Sequence, residues 1–121
     1  MRICSKDSSS TLIADAHGLL QGGLQLNDKK FTWDKNKYRI NKHKHGITFE
    51  EAATVFDDDD ALYESDPDHS EHEERFIILG YSKRERLLIV CHCYREDDAI
   101  IRIISARKAT REEHQRYGGI Q

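Results

Sequence analysis

Apolar and polar positions follow a regular pattern from Phe31 onward. Phe31-Thr32-Trp33 alternates as a short strand would, and Asp34 after it is a suitable helix N-cap. The spacing predicts a helix from there to Gly46, which can end it in the left-handed conformation. Thr48 and Glu51 then form a capping box that predicts a second short helix. Two helices therefore precede the main strands.

The second half of the chain alternates between apolar runs and polar turns. Residues 75–81 and 86–94 are apolar runs joined by a four-residue polar segment, which predicts a hairpin. Glu96-Asp97-Asp98 predicts a tight turn into a third strand over residues 99–106. A shorter strand is predicted over residues 61–64.

A second capping box opens the last predicted helix. Thr110 takes the N-cap position and Glu113 the N3 position, and Gly118-Gly119 ends the helix. Together these elements predict an α+β fold, with helices packed on one face of a small antiparallel sheet.

Residues 1–28 lack a regular pattern of apolar and polar positions. Ser8-Ser9-Ser10 and Gly22-Gly23 interrupt the apolar stretches, and no period persists. We expect an N-terminal extension that lies outside a folded domain of residues 29–121. It is either a flexible arm or translated upstream sequence from a misplaced start site.

The composition indicates one soluble domain. The chain has 121 residues, of which 37% are hydrophobic and 34% charged, and it contains a single proline. It has no apolar run of the roughly 20 residues that a membrane span needs, and no secretory signal pattern. We expect a cytoplasmic protein.

The three cysteines do not suggest a metal site. Their odd number argues against a disulfide framework and favours a reducing compartment. Cys91-His92-Cys93 lacks the second ligand cluster of a structural zinc site. Cys91 and Cys93 should share one face of a strand as small apolar residues. No metal and no cofactor are expected.

Charge is distributed in blocks along the chain. The net charge is −1 over residues 1–28, +6 over residues 29–49, −12 over residues 50–74 and +4 over residues 75–121. The two basic blocks can form a surface for a polyanion, although such blocks are often only solvated faces. The acidic block could repel and so orient the polyanion, or receive a basic partner.

The segment from Arg102 to Thr110 joins cationic side chains to the start of a helix. A strand there delivers Arg102, Ser105, Arg107 and Lys108 toward the N-cap Thr110. A guanidinium stays ionised and offers a planar fork of donors, while a helix N-terminus adds free N–H groups. The segment suits a phosphate, and Arg107 is the predicted principal clamp.

Several motifs in one order resemble a known family. They are Phe31-x-Trp33-Asp34, Asn41-x-x-Lys44-His45-Gly46-Ile47-Thr48-Phe49-Glu50-Glu51-Ala52, Val55-Phe56-Asp57, Asp66-x-x-His69-Ser70-Glu71, Glu74-Arg75-Phe76, Arg102 to Thr110, and Glu113-x-x-x-Tyr117. This arrangement resembles the BrnT family of toxins from bacterial toxin–antitoxin pairs. The resemblance implies a RelE-like fold, ribonuclease activity and an antitoxin encoded nearby. Antitoxins of this kind resemble ribbon-helix-helix DNA binders, so operator DNA would be contacted only through the partner.

A metal-independent ribonuclease needs groups that move protons and cations that stabilise a phosphorane. His45 is the candidate for proton transfer, although a histidine at a helix end can also simply cap carbonyls. Arg75, Arg102 and Arg107 are the candidate phosphate clamps. The residues expected to bind substrate are Lys44, Ser105, Lys108 and Tyr117.

Two of these assignments leave alternatives open. A regular strand would point Arg102 and Arg107 to opposite faces, so either a bulge lies near Ser105 or only one arginine is catalytic. Arg102 could instead pair with an acid such as Glu74 or Glu51. A tyrosine in a C-terminal helix, such as Tyr117, often serves packing alone.

The sequence thus predicts a hydrolase toxin that cleaves RNA, inhibits translation and is neutralised by its cognate antitoxin. The alternative is a non-catalytic module that binds protein or nucleic acid and acts as a co-repressor with a DNA-binding partner. No membrane association is expected.

Overall fold

Seven strands in the described residues form one sheet. The computed structural model describes residues 10–14, 20–66 and 73–118. The strands are β1 (Ser10–Ala14), β2 (Leu20–Leu26), β3 (Lys29–Asp34), β4 (Leu62–Ser65), β5 (Phe76–Tyr81), β6 (Leu87–Arg95) and β7 (Ile100–Lys108). Their order across the sheet is β1-β2-β3-β7-β6-β5-β4. The hairpin between β5 and β6 and the turn between β6 and β7 confirm the predicted order of these strands along the chain.

Three helices complete the described fold. They are α1 (Lys35–His45), α2 (Phe49–Thr54), which continues into a short 3-10 turn (Val55–Asp57), and α3 (Arg111–Gly118). Within the described ranges, no helix is long and apolar enough to cross a membrane. The α+β class predicted from the sequence is confirmed.

The predicted boundaries of α1 are confirmed by both caps. The Asp34 carboxylate accepts a hydrogen bond from the Lys37 N–H at 3.0 Å. Gly46 adopts a left-handed conformation with φ of 71° and donates its N–H to the Lys42 carbonyl. Because glycine takes this conformation without steric cost, the helix ends there and the chain turns toward α2.

The capping box of α2 is only half formed. Thr48 Oγ1 accepts from the Glu51 N–H at 3.1 Å, as predicted. The buried Glu51 carboxylate, however, accepts hydrogen bonds from the Arg86 guanidinium and from the Ser82 hydroxyl. Charge-assisted bonds to a guanidinium are stronger than a bond to a backbone N–H, so Glu51 fastens the β5–β6 hairpin to α2.

The two faces of the sheet carry different cores. On one face α1 and α2 cover a large cluster that includes Phe31, Trp33 and Phe49. On the other face Leu79, Leu87 and Ile89 form a smaller cluster, against which Ala109 and Tyr117 pack. α3 therefore lies on the opposite face from α1 and α2, whereas the sequence predicted all helices on one face. Its apolar residues were too few to indicate which face they would meet.

One strand pair departs from the predicted antiparallel arrangement. β3 and β7 are parallel, with Lys30 beside Ile100 and Trp33 beside Ile103. All other neighbouring pairs of described strands are antiparallel. Parallel neighbours need a long connection, and here α1, α2 and the strands β4 to β6 lie between β3 and β7 in the chain.

The N-terminal segment differs from its prediction in the part that the structure describes. β2 pairs with β3 from Gln21 beside Asp34 to Leu26 beside Lys29. Gly22 lies against the Trp33 indole so closely that a Cβ there would be 1.8 Å from Nε1. Gly22, one of the two glycines that interrupted the sequence pattern, thus gives room to a buried tryptophan. Residues 1–9 and 15–19, for which a flexible arm was one prediction, lie outside the described residues. Residues 67–72, which include most of the motif that begins at Asp66, also lie outside them.

Candidate functional site

An extra residue in β7 decides which way its polar side chains point. Across β6 and β7, Cys93 pairs with Arg102, His92 with Ile103, Cys91 with Ser105 and Ile89 with Arg107. Ile104 has no partner and forms a β-bulge, which shifts the alternation by one residue. Arg102, Ser105 and Arg107 consequently share one face of the sheet. The bulge, one of two alternatives left open by the sequence, is confirmed.

The spacing along this face suits a bound phosphate. The β6 partners of Arg102, Ser105 and Arg107 are two residues apart along the strand. Neighbouring pairs of this kind are therefore about 7 Å apart, at roughly 3.4 Å per residue. Arg102 and Arg107 thus lie on either side of Ser105, each at a distance that a long arginine side chain can span. Both could approach an anion that lies over Ser105.

Arg75 contributes a third positive charge to this region. It immediately precedes β5, in which Ile77 lies beside Cys91. Burial raises the pKa of the Cys91 thiol and Asp66 raises it further, while the positive charge of Arg75 opposes the shift. Arg75 is therefore close to Cys91, which is the neighbour of Ser105 across the sheet.

The two arginines of β7 have different partners. Arg107 donates Nη1 and Nη2 to the two carboxylate oxygens of Glu113 at 2.9 and 3.0 Å. Arg102 donates to the Gln21 side chain at 3.4 Å. Its suggested pairing with Glu51 is wrong, because the Glu51 carboxylate binds Arg86. Glu113 occupies the planar fork of Arg107, whereas among the described residues the Arg102 guanidinium makes one long hydrogen bond, to Gln21.

Glu113 also completes the predicted capping box of α3. Its carboxylate accepts from the Thr110 N–H at 2.8 Å, and its own N–H donates to Thr110 Oγ1 at 3.2 Å. The hydrogen bonds from Arg107, and next those from Thr110, lower the pKa of Glu113 to about 2. The carboxylate is thus charged at neutral pH and holds Arg107 against the first turn of α3.

Asn41 joins α1 to the end of β7, a role that the sequence analysis missed. β3 ends at Asp34, so β7 has no strand neighbour on that side beyond Ile103. The buried Asn41 amide takes the place of a strand. It accepts from the Ala106 N–H at 3.0 Å and donates to the Ala106 carbonyl at 2.9 Å and the Ile47 carbonyl at 3.0 Å. A polar residue on the buried side of α1 was the available signal.

A cleft opens between the end of α1 and the bulge. Its volume is about 270 Å³, and its lining residues are Lys37, Ile40, Asn41, Lys44, His45, Ile104 and Ser105. The structure therefore brings together three of the predicted residues, Lys44, His45 and Ser105. An imidazole, an ammonium group and a hydroxyl meet at the edge of the sheet face that carries the arginines.

Two predicted substrate residues lie away from this cleft. Tyr117 donates its hydroxyl to the Asp58 carboxylate at 2.6 Å, and its ring contacts Tyr81 with centroids 5.2 Å apart. Burial and the bond to Asp58 raise the pKa of Tyr117. Packing, the alternative noted for this residue, matches its surroundings. Lys108 is exposed at the end of β7, next to Arg107.

The Cys91-His92-Cys93 segment distributes its side chains over both faces of the sheet. Cys91 and Cys93 share a face, as predicted. His92 points to the other and is fully buried, with the Phe56 and Tyr94 ring centroids 4.8 and 5.4 Å from its own. The three side chains therefore cannot converge on one ion. In the described ranges, no three His, Cys, Asp or Glu side chains form a group that could hold a metal.

Comparison with known proteins identifies the family. The model of the family described as "Ribonuclease toxin, BrnT, of type II toxin-antitoxin system" matches residues 33–113. The chain belongs to the BrnT toxin family. The matched range contains α1, the cleft, the bulge and the three arginines. The family is one of ribonuclease toxins whose systems pair a toxin with an antitoxin.

Among solved structures, that of a BrnT toxin is similar to this chain. It is the crystal structure of the Brucella abortus ribonuclease toxin, BrnT, with 20% sequence identity and a TM-score of 0.48. The alignment covers 65% of this chain and 94% of that one. The comparison with curated proteins gave no match.

Proposed function

We propose that this chain is an endoribonuclease toxin that cleaves RNA at the Ser105 bulge without a metal ion. The observation that carries the proposal is the meeting of Lys44, His45 and Ser105 in one cleft, beside the sheet face of Arg75 and Arg102. Proton transfer, substrate binding and charge stabilisation can all act there on one phosphodiester.

The reaction follows from the chemistry of these groups. His45 accepts the proton of the ribose 2′-hydroxyl, and the oxygen forms a bond to phosphorus. Arg102 and Arg75 stabilise the negative charge that develops on the phosphorane oxygens. The bond from phosphorus to the 5′-oxygen then breaks, and the Lys44 ammonium donates a proton to that oxygen. The products are a 2′,3′-cyclic phosphate and a 5′-hydroxyl.

We assign the principal clamp to Arg102 rather than to Arg107. The Arg107 fork is held by both oxygens of Glu113, so a phosphate would have to displace that carboxylate first. In the part of the chain that the structure describes, Arg102 would have to give up a single long hydrogen bond, to Gln21. Arg107 then acts mainly by holding α3 in place, at the border of the site.

The partner would be a cognate antitoxin of the ribbon-helix-helix type, which neutralises the toxin and contacts operator DNA itself. Family membership supports an antitoxin and an RNA target. The exposed carboxylates of Asp59 and Asp60 would suit a basic segment of such a partner. Inhibition of translation would follow from the destruction of RNA.

Cleavage of single-stranded RNA by the purified protein in EDTA tests the proposal. We expect cleavage, a 2′,3′-cyclic phosphate on the product, and a loss of rate of about 100-fold or more in His45→Ala. His43→Ala is the matched control, because His43 is exposed on the same helix and does not line the Ser105 cleft. Activity that is abolished by EDTA and restored by magnesium, or equal rates in both variants, would refute the mechanism.

A further inference from the structure

A row of three side chains extends from the Ser105 cleft along α1. Lys37, Ile40 and Lys44 recur at spacings of three and four residues, so they share one side of the helix. All three are exposed and line the cleft whose other wall contains Ser105. Lys37 and Lys44 are seven residues apart, about 10 Å at 1.5 Å per residue. We call Lys37, Ile40 and Lys44 the α1 ridge.

The charges of the ridge are available for an anion. α1 contains no aspartate or glutamate from Lys35 to His45. Among the described residues, neither Lys37 nor Lys44 is paired with a carboxylate. By contrast, Arg86, Arg95, Arg107 and Arg116 all form ion pairs. The ridge is thus a cationic surface that no carboxylate of the described residues neutralises.

Ile40 gives the ridge an apolar centre. Its side chain is 51% exposed between the two lysines. A single exposed isoleucine is common on protein surfaces, but Ile40 lies between two lysines on the same side of the helix. Single-stranded nucleic acid presents the same alternation, because each nucleotide combines an anionic phosphate with an apolar base face.

We propose that the α1 ridge binds the nucleotide next to the one that is cleaved, with its phosphate on Lys37 and its base against Ile40. The proposal rests on the proposed cleavage of RNA at Ser105, since the ridge is continuous with that cleft. The ligand is single-stranded RNA, because bases within a helical duplex stack on each other and cannot contact Ile40.

The test compares Lys37→Glu with Lys83→Glu on two substrates, a 12-nucleotide single-stranded RNA and a dinucleotide. Lys83 is an exposed lysine in the β5–β6 hairpin, outside the cleft, and its substitution changes the net charge equally. We expect Lys37→Glu to raise KM for the 12-mer about 10-fold without changing kcat, and to leave dinucleotide cleavage unchanged. Its slope of log affinity against log salt should fall by about 0.7, the value for one phosphate contact.

Ile40→Ser separates the base contact from the phosphate contact. It should raise KM for the 12-mer about threefold without changing the salt slope, because an apolar contact to a base releases no counterion. An unchanged KM in Ile40→Ser would refute the base contact. Circular dichroism should show the parental helix content in every variant.

Equal effects of Lys37→Glu and Lys83→Glu on the 12-mer would overturn the subsite, because general charge repulsion would then suffice. An absence of cleavage in all proteins would overturn the proposed function, and the ridge would be judged by binding alone. In that case, weaker 12-mer binding by Lys37→Glu than by Lys83→Glu would support the ridge, and equal affinities would refute it.

Discussion

The regions around α1 and α3 both contain cations but use them differently. Beside α3, Arg107 is bound to Glu113 and Arg116 to Glu64, and Tyr117 donates to Asp58. Beside α1, Lys37 and Lys44 line an open cleft, and the helix itself has no acid. Positive charge that is neutralised internally holds a helix in place, whereas positive charge without a carboxylate partner among the described residues is available for an external anion.

The largest expected effect distinguishes the two arginines of β7. Arg102→Lys keeps the charge but removes the planar fork, so we expect the cleavage rate to fall about 100-fold with little change in thermal midpoint. Arg107→Lys loses its two-point bond to Glu113, and we expect a lower midpoint with less than about a tenfold loss of rate. The measurements are single-turnover cleavage and thermal unfolding. The reverse pattern would return the role of principal clamp to Arg107.

The next effect concerns the attachment of α1 to β7. Asn41→Ala removes three hydrogen bonds and leaves the buried N–H and carbonyl of Ala106 without partners. We expect a loss of about 2–3 kcal/mol in the free energy of unfolding, measured with urea. Asn36→Ala, an exposed position on the same helix, should cost less than about 0.5 kcal/mol. Equal losses would show that Asn41 is not the attachment.

Deletion of residues 1–28 tests whether the domain begins at residue 29. It removes β2, whose Gly22 covers the Trp33 indole. We expect the thermal midpoint to fall by more than about 5 °C, which corresponds to roughly 1 kcal/mol for a domain of this size. An unchanged midpoint would restore the view that the segment is an extension outside the fold.

The smallest effect tests the role of Glu113 in holding α3. Its pKa in the folded state is about 2, below the ordinary value of 4.5, so its stabilisation is complete above pH 4.5 and is lost as the pH falls toward 2. Because the Arg107 side chain is 41% exposed, solvent screening reduces the gain to about 1 kcal/mol. Glu113→Gln should therefore lower the midpoint by a few degrees at pH 7, with the difference vanishing near pH 2. A constant difference between pH 2 and pH 7 would contradict this assignment.

The order of the elements and most of their ends could be read from the sequence because they depend on local chemistry. Asp34, Gly46, Thr48 and Thr110 act at helix ends as predicted. Pairing between distant strands follows no such local rule. The parallel contact of β3 with β7 and the inclusion of β2 in the sheet depend on which apolar surfaces meet, which periodicity does not specify.

Some of the residues that line the cleft were predicted from the sequence, but their arrangement was not. His45, Lys44 and Ser105 were identified by residue type, and they line one cleft. The ion pair between Arg107 and Glu113 was not predicted, because the capping box already gave Glu113 a role. Asn41 was noted only as the first residue of a family motif, and the signal for its structural role was a polar side chain on the buried side of α1.

The difference between the two regions can be tested most directly by mapping where RNA binds. A short single-stranded RNA whose reactive 2′-hydroxyl is replaced by hydrogen cannot be cleaved, and its titration can be followed by the amide NMR signals of the protein. We predict that the largest chemical shift changes occur at Lys44, His45 and Ser105, with small changes at Glu113 and Arg116. Changes concentrated in α3 with none beside the Ser105 cleft would contradict the account.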